Sequence, residues 1–136
     1  EEDVFGNVNV TATSFGDNGN LIRIECGSSS EPFLAFLIRD NSKDIREIPA
    51  KFLHKDQNGN RHESDATLGS WNEKYVAVKV TDTETLRRLA EHMTVAKKSI
   101  PLGISIPFTD VKVADTFSPR GSTLAGRTVL ENCFSD

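Results

Sequence analysis

The sequence predicts an α+β domain: an antiparallel, sandwich-like sheet of about six to eight strands with two short helices and one disulfide. Short segments such as NVNVTATS, LIRIEC and SIPLGISIPF alternate apolar and polar residues, which is the period of a strand. One segment, TDTETLRRLAEHMT, instead repeats its apolar residues at the period of a helix. The chain has 136 residues, a length that suits a single core. We therefore predict one β-rich domain over residues 1–136.

The first half of the chain predicts two hairpins and a central strand. Residues 7–14 and 21–26 flank the turn sequence DNG, and they predict a hairpin with one solvated face. Residues 33–38 are apolar without alternation, which predicts a strand that is buried on both faces and lies centrally in the sheet. Asn58-Gly59 favours a type I′ turn, so the segments on either side of it predict a second hairpin.

The second half predicts three further strands, over residues 75–80, 99–108 and 111–118. The middle one has an apolar face consisting of Ile100, Leu102, Ile104, Ile106 and Phe108. Its other face is serine, proline and glycine, and is open enough for another element or a partner to approach closely. Pro101 and Pro107 cannot donate to a ladder, so near them we expect this strand to lie at an edge or to pair on one side only.

The first helix is predicted from Thr83 to Met93. Its apolar stripe consists of Leu86, Leu89, Ala90 and Met93. Thr81 and Glu84 have the spacing of a capping box, in which each side chain accepts the other residue's backbone N–H. We expect the stripe to pack on the sheet.

Two cysteines, Cys26 and Cys133, lie near opposite ends of the chain. Their separation excludes a C-x-x-C redox motif, and two thiolates are too few for a cysteine metal site. A long-range disulfide and two unrelated buried thiols remain as interpretations. Cys26 ends a strand, and Cys133 shares a face with Ala125 and Val129 on a second helix, predicted over residues 123–132. We favour the disulfide, and with it a periplasmic or secreted location.

The composition and motifs restrict the function classes. The net charge of -4 argues against nucleic acid, and no apolar run approaches the ~18 residues of a membrane span. The serine motifs G-x-S-x-G and S-x-x-K do not occur. His54, His62 and His92 fall on different elements, so we expect surface histidines and not metal ligands. We predict no catalytic residue, no metal and no cofactor.

Four residues are candidates for binding a partner protein. Trp71 and Tyr75 are of the types that anchor interfaces. A single tryptophan packed in the core at the start of a strand is the other interpretation of Trp71. Asn58 and Gly59 form the tip of the second predicted hairpin, where a protruding turn can reach a partner.

The order of landmarks is similar to that of a known family. A strand ends in Cys26 (LIRIEC), an apolar strand follows (PFLAFLI), and Trp71 precedes the strand in SWNEKYVAVKV. Then come the helix LRRLAEH, the strand IPLGISIPF, Phe117 to Gly121 as Phe-x-x-x-Gly, a short helix and Cys133. This order resembles the periplasmic accessory proteins of bacterial type VI secretion, and its ending resembles small invasion-associated envelope proteins. The resemblance implies a disulfide-bonded β-rich domain that acts by contact within the envelope, without catalysis.

Three functions are compatible with these features. The first is a non-enzymatic, exported protein-binding module, such as an envelope or secretion accessory factor. The second is an inhibitor or immunity protein that inserts a loop, 40–49 or 56–62, into a hydrolase or toxin. The third is a small envelope hydrolase, which requires His or carboxylate side chains converging in a pocket.

The chain opens EEDVFG without Met, which we expect of an exported protein after signal-peptide removal or of a sequence trimmed to its mature start.

Overall fold

The computed structural model describes residues 9–27, 30–39, 47–119 and 122–133, and in them it shows eight strands and two helices. The elements in chain order are β1 (Asn9–Phe15), β2 (Leu21–Gly27), β3 (Ser30–Arg39), β4 (Ile48–Lys55), β5 (Arg61–Ser70), β6 (Tyr75–Val80), α1 (Thr83–Val95), β7 (Ile100–Ser105), β8 (Lys112–Phe117) and α2 (Ser122–Cys133). The strands form one sheet in the order β1-β2-β3-β6-β5-β4-β7-β8. Every neighbouring pair is antiparallel. The predicted α+β class is therefore confirmed.

The sheet is a single curled half-barrel, so the predicted sandwich is not confirmed. Its inner face carries the large buried side chains Ile24, Phe36 and Phe52, which form one core with Leu89 of α1 and Val129 of α2. The two helices thus supply the second layer that a second sheet supplies in a sandwich. We call the opposite face of the sheet, which neither helix covers, the outer face.

The turn between β1 and β2 joins the first strand of the sheet to the last one. Gly16 forms an isolated antiparallel bridge with Phe117 of β8. The backbone N–H of Asp17 donates to the carbonyl oxygen of Thr116 over 3.0 Å. These contacts hold the curl of the sheet, because they connect two strands that lie at opposite ends of the strand order.

Asp115 is the polar centre of this connection. Its side chain is 3% exposed, and it accepts hydrogen bonds from the backbone N–H groups of Asn18 (2.8 Å) and Asn20 (3.1 Å) and from Asn20 Nδ2 (2.9 Å). Burial alone raises the pKa of Asp115, but these hydrogen bonds outweigh it and lower the pKa below its ordinary value. A Cβ at Gly16 would lie 2.3 Å from Asp115 Oδ2, so only glycine fits beneath the carboxylate.

Asp115→Asn is expected to lower the free energy of unfolding by about 2 kcal/mol. The substitution puts an amide NH2 where one of the two accepting oxygens stands, and that group faces N–H donors of the β1–β2 turn. Urea denaturation measures the loss, with Asp110→Asn on the exposed β7–β8 loop as the matched control. Equal midpoints for the two variants would contradict the role assigned to Asp115.

The predicted central strand is confirmed as β3, which pairs with β2 on one side and β6 on the other. Leu34 and Phe36 are fully buried in the inner core, and Ala35 and Leu37 are buried on the outer face. Burial on both faces explains why this segment has no alternation.

The predicted first helix and its stripe are confirmed by α1. Leu86, Leu89, Ala90 and Met93 are all buried in the core. The predicted capping box between Thr81 and Glu84 is wrong, because the N-cap is Asp82. The Asp82 carboxylate accepts from both the backbone N–H (3.2 Å) and the hydroxyl (2.6 Å) of Thr85. A carboxylate that takes two donors caps this helix better than the neighbouring hydroxyl.

The proline-containing strand, β7, is not at an edge, but it pairs on one side only at Pro101. Its ladder with β4 runs from Ser105↔Lys51 to Leu102↔His54 and stops there. Pro101 is paired only with Thr116 of β8. The one-sided alternative is therefore confirmed, and the missing N–H of Pro101 interrupts no ladder bond with β4.

The predicted hairpin around Asn58-Gly59 is confirmed, but its type I′ turn is wrong. Gly59 has a positive φ of 82°, whereas Asn58, which also needs a positive φ in a type I′ turn, does not. Gly59 N–H donates to Asp56 O (3.0 Å), and Asp56 N–H donates to Asn60 O (2.9 Å). This is the arrangement of a type I turn followed by a left-handed glycine. The Asp56 carboxylate stabilises it by accepting the N–H groups of Asn58 and Asn60.

The disulfide predicted between Cys26 and Cys133 joins the end of β2 to the end of α2. The two Sγ atoms lie 2.06 Å apart, and the Cα atoms 5.6 Å. The α2 limits, Ser122–Cys133, extend the predicted range by one residue at each end. Residues 40–46 of the candidate loop 40–49 lie outside the described residues.

Candidate functional site

The four residues predicted to bind a partner lie at opposite ends of the sheet. Asn58 and Gly59 are in the β4–β5 turn, whereas Trp71 and Tyr75 flank the β5–β6 turn. Strand β5, which separates the two turns, has 10 residues. At the rise of a β-strand it spans about 30 Å. The two pairs therefore do not form one compact site.

Trp71 packs on the outer face, and not in the main core. Its ring lies 6.3 Å from that of Phe33, and the Lys79 ammonium is 4.3 Å from the Phe33 ring centroid. With Tyr75 and Leu21 these partly buried rings cover a small cluster of buried residues, namely Ala35, Leu37 and Ala77. Trp71 therefore packs on a small outer cluster and not in the main core, and the role of its partly exposed ring at an interface stays a prediction.

Phe108 is the most exposed large apolar residue among the described residues. Its exposed fraction is 107%, as complete as in an isolated residue, and its φ is 66°. The sequence predicts Phe108 on the apolar face of a strand, and this prediction is wrong because β7 ends at Ser105. Residues 106–111 form instead a loop, which we call the Phe108 loop.

Hydrogen bonds within the Phe108 loop hold Phe108 outward. Thr109 N–H donates to Ile106 O (3.2 Å), with Pro107 and Phe108 between them. Thr109 Oγ1 donates to the same carbonyl (2.7 Å), and Ile106 N–H donates to Val111 O (3.1 Å). Proline at the second position and a positive φ at the third are typical of a type II turn. The third position of a type II turn ordinarily holds glycine or asparagine. Because Phe108 occupies it here, the sequence does not predict a turn at this place.

The left-handed backbone at Phe108 costs stability, on the order of 1–3 kcal/mol. A bulky residue with positive φ is a conformational outlier, and such outliers concentrate at functional sites. The apolar ring gains no burial against the described residues in return. Within the described part of the chain, packing of the side chain therefore does not offset the cost of this backbone conformation.

The Phe108 loop and the β5–β6 turn lie at the same end of the sheet. Strand β4 lies between β5 and β7, and Ile48 at its start pairs with Leu68 near the end of β5. The end of β7 also lies beside the first half of β4, through Ser105↔Lys51. Across the sheet β7 and β5 are about 10 Å apart, and along it Ser105 stands level with Asp65, five residues or about 17 Å short of the end of β5. A partner that contacts both Phe108 and Trp71 has to span this interval.

A groove of about 540 Å³ runs along β7 on the outer face. Its floor is formed by Leu53, Pro101, Gly103, Ser105 and Ala114, and the cations on its walls are Lys55, Arg61 and Lys112. We call this set of residues the outer groove. One end reaches Gly59 of the predicted hairpin tip, and the other adjoins the Phe108 loop at Ser105 and Lys112.

The histidines form a cluster that the sequence does not predict. His54 and His92 are 1% and 5% exposed, with 2.7 Å between His54 Nε2 and His92 Nδ1. His62 Nε2 is 2.7 Å from Asp56 Oδ2, and its ring centroid is 6.2 Å from that of His54. The expectation of surface histidines is therefore wrong for His54 and His92. The alternation of β4 could have predicted the burial of His54, because Ala50, Phe52 and His54 are alternate residues of one strand and therefore face the same side, toward the core.

The histidine pair is neutral at pH 7. Burial, and next the neighbouring imidazoles of His92 and His62, lower the pKa of His54 to about 4. Burial also lowers the pKa of His92. The hydrogen bond from His62 lowers the pKa of Asp56 to about 2. Within the described part of the chain, no group of three or more His, Cys, Asp or Glu side chains could hold a metal ion.

A further cleft of about 530 Å³, lined by Asp56, His92 and Lys97, lies beside this cluster. Asp56 is engaged by His62, and one ring nitrogen of His92 by His54. The cluster and cleft are one part of the described chain to which the hydrolase hypothesis applies. A second cleft, of about 500 Å³, is lined by the carboxylates of Glu47 and Asp65.

No protein-family model, curated protein or solved structure matches the chain. Neither described helix combines the length and the apolar character needed to cross a membrane.

Proposed function

We propose that the protein is a non-enzymatic, exported protein-binding module, an accessory factor of the bacterial envelope or of a secretion system. Its binding surface is the Phe108 loop together with the adjoining outer groove. The observation that carries the proposal is Phe108, fully exposed and held at a positive φ. The partner is a protein with an apolar pocket that accepts the phenyl ring.

Energetics favour a partner for Phe108. Burying a phenylalanine side chain contributes about 1.5–3 kcal/mol, comparable with the cost of its backbone strain. In the free domain the strain is present and the burial gain is not. On binding, the ring arrives already oriented by the turn, so little conformational entropy is lost.

The disulfide supports the location. A bond between Cys26 and Cys133 persists in an oxidising compartment, such as the periplasm or the extracellular space. The order of sequence landmarks that resembles periplasmic secretion accessory proteins points to the same compartment.

A second candidate is an inhibitor or immunity protein that blocks a cell-wall hydrolase or toxin. The Phe108 loop favours it, because a preorganised loop with an apolar tip suits insertion into an enzyme cleft. This loop is a further candidate for insertion, beside the predicted loops 40–49 and 56–62. The accessory factor and the inhibitor differ in the identity of the partner.

Site-specific photo-crosslinking in the native envelope tests the proposal. A photoreactive residue replaces Phe108 in one variant and Leu124 in a matched control, since Leu124 is also a strongly exposed apolar residue but lies on α2. We expect one discrete protein adduct from position 108 and none from position 124. Secretion or envelope machinery in the adduct supports the accessory factor, and a foreign or secreted hydrolase supports the inhibitor. Lipid adducts alone, or identical adducts from both positions, would overturn the proposal.

Phe108→Gly is expected to stabilise the fold by about 1 kcal/mol while it abolishes the crosslinked adduct made from position 71. Glycine adopts the positive φ without strain but removes the ring that the partner binds. Urea denaturation and crosslinking from Trp71 measure the two effects. Phe15→Ser is the control, because Phe15 is exposed without a positive φ and should change neither measurement. A Phe108→Gly variant that keeps the adduct would show that the ring is not the anchor.

A further inference from the structure

The charges of the outer face near β7 are unequally compensated. Lys51 forms an ion pair with Asp65, and Arg61 forms one with Glu63 at 3.6 Å. Among the described residues, Lys55 and Lys112 have no ion-pair partner, and both are exposed. Both line the outer groove. The groove therefore presents two cations that the described fold does not neutralise.

The strand register fixes the spacing of these two cations. Lys112 pairs directly with Ser105 of β7. Lys55 follows His54, which pairs with Leu102, so Lys55 stands level with Pro101. Pro101 and Ser105 are four residues apart on β7, and an extended chain covers that interval in about 13 Å. The two lysines thus stand on the same face of the sheet at opposite ends of the groove. They lie on the two strands that flank β7, so they are also about 10 Å apart across the sheet.

The floor of the groove between the two lysines is formed by small residues. Gly103 lies midway, paired with Leu53 on one side and Ala114 on the other. A Cβ on Gly103 would approach Val113 O to 3.1 Å, so the position favours glycine. Small side chains along β7 leave a channel in which a second backbone can lie against the sheet.

We propose that the outer groove binds an extended segment of the partner protein that carries acidic side chains at positions i and i+4 and a small residue at i+2. In an extended chain these three side chains point to the same face. The two carboxylates then meet Lys55 and Lys112, as charge-assisted contacts, while the small residue faces Gly103. This inference rests on the proposed function, since it names the kind of segment that lies beside the Phe108 loop.

Two pentapeptides of identical composition test the spacing by 1H–15N NMR titration. The probe is acetyl-Glu-Val-Ser-Val-Glu-amide, and the control is acetyl-Glu-Val-Ser-Glu-Val-amide, whose acids point to opposite faces. We expect the probe to shift the amides of Leu53, Gly103 and Ala114 and to bind about threefold or more tightly than the control. Equal affinity of the two peptides would overturn the register. Equal shifts from inorganic phosphate alone would reduce the groove to an anion site.

Protein variants test the residues. Lys55→Glu with Lys112→Glu is expected to weaken the probe about tenfold or more, whereas Lys74→Glu with Lys98→Glu, which changes the net charge equally, should not. Ala114→Trp fills the groove from an exposed position and should also block the probe. Circular dichroism establishes that each variant folds. Unchanged binding to the folded Ala114→Trp variant, or equal loss in both double variants, would overturn the groove as the site.

The two proposals fail in different ways. If adducts from position 108 form while the probe shows no preference over its control, protein binding through the Phe108 loop stands and the groove inference falls. If the probe binds with the expected preference while position 108 gives no protein adduct, the groove stands and binding through the Phe108 loop falls.

Discussion

Replacing Cys26 and Cys133 by alanine is expected to lower the free energy of unfolding by about 4.7 kcal/mol. The two residues are 107 positions apart, so the bond closes a loop that spans most of the chain. A crosslink over such a loop removes much of the conformational freedom of the unfolded state. The loss would be a large share of the roughly 5–15 kcal/mol that stabilises a typical domain.

The effect should be strongest at α2, which the disulfide attaches to β2. The helix keeps a close contact with α1 without the bond, because Gly126 packs where a Cβ would lie 2.6 Å from Ala90 O. Val129 is also fully buried. We therefore expect a folded but weakened domain in which hydrogen exchange at α2 accelerates more than at α1.

Urea denaturation of the wild-type protein with and without reductant, and of the double alanine variant, measures this loss. Reductant should shift the midpoint of the wild-type protein and leave that of the variant unchanged. A thiol assay on the denatured, unreduced chain should find no free thiol. Two titratable thiols, or one midpoint for all samples, would show that the bond does not contribute.

Much of the fold is predictable from the sequence because its signals are local. The stripe of α1 and the alternation of β1 and β2 each depend on residues within one segment. The unbroken apolar run of β3 likewise identifies an interior strand. The curl is not local, since it depends on contacts such as Gly16↔Phe117 between residues about a hundred positions apart.

The candidate site is not predictable from the sequence, because it also depends on turn geometry and strand pairing and not on the pattern within one segment. Phe108 continues the alternation of β7, so its pattern predicts a strand residue although the hydrogen bonds of Thr109 turn the chain there. The outer groove forms only when β4, β7 and β8 pair side by side. The register of that pairing places Lys55 and Lys112 at opposite ends of the groove. The residue types of Trp71 and Tyr75 suggest partial exposure. The sequence does not show that these two residues lie about 30 Å from Asn58-Gly59, because that distance depends on the length of β5 in the folded sheet.

His54 introduces a strong dependence of stability on pH. Its pKa is about 4 in the folded protein, below its ordinary value of 6.5, first because of burial and next because of the neighbouring His92. The unfolded chain therefore binds more protons than the folded chain between these two values. The contribution of His54 is complete above pH 6.5 and is lost as the pH falls toward 4.

The expected loss from His54 between pH 7 and pH 4 is about 3 kcal/mol. The lowered pKa of His92 acts in the same direction. Asp56 partly opposes the shift of His54, whereas Arg88 and His62 reinforce it. Protonation of the hydrogen-bonded Asp115 adds a further loss at the acid end of this range.

Comparison with His54→Leu/His92→Leu isolates the histidine contribution. Leucine fills both buried positions without a titrating group, so the variant should lose little stability between pH 7 and pH 5, where the wild-type protein already weakens. Urea denaturation at half-unit pH steps gives both curves, and the difference between them removes the carboxylate contribution. Parallel curves over this interval would mean that neither buried imidazole resists protonation in the folded protein. A difference that grows steadily below pH 6.5 would identify the pair as the acid-sensitive element of the core.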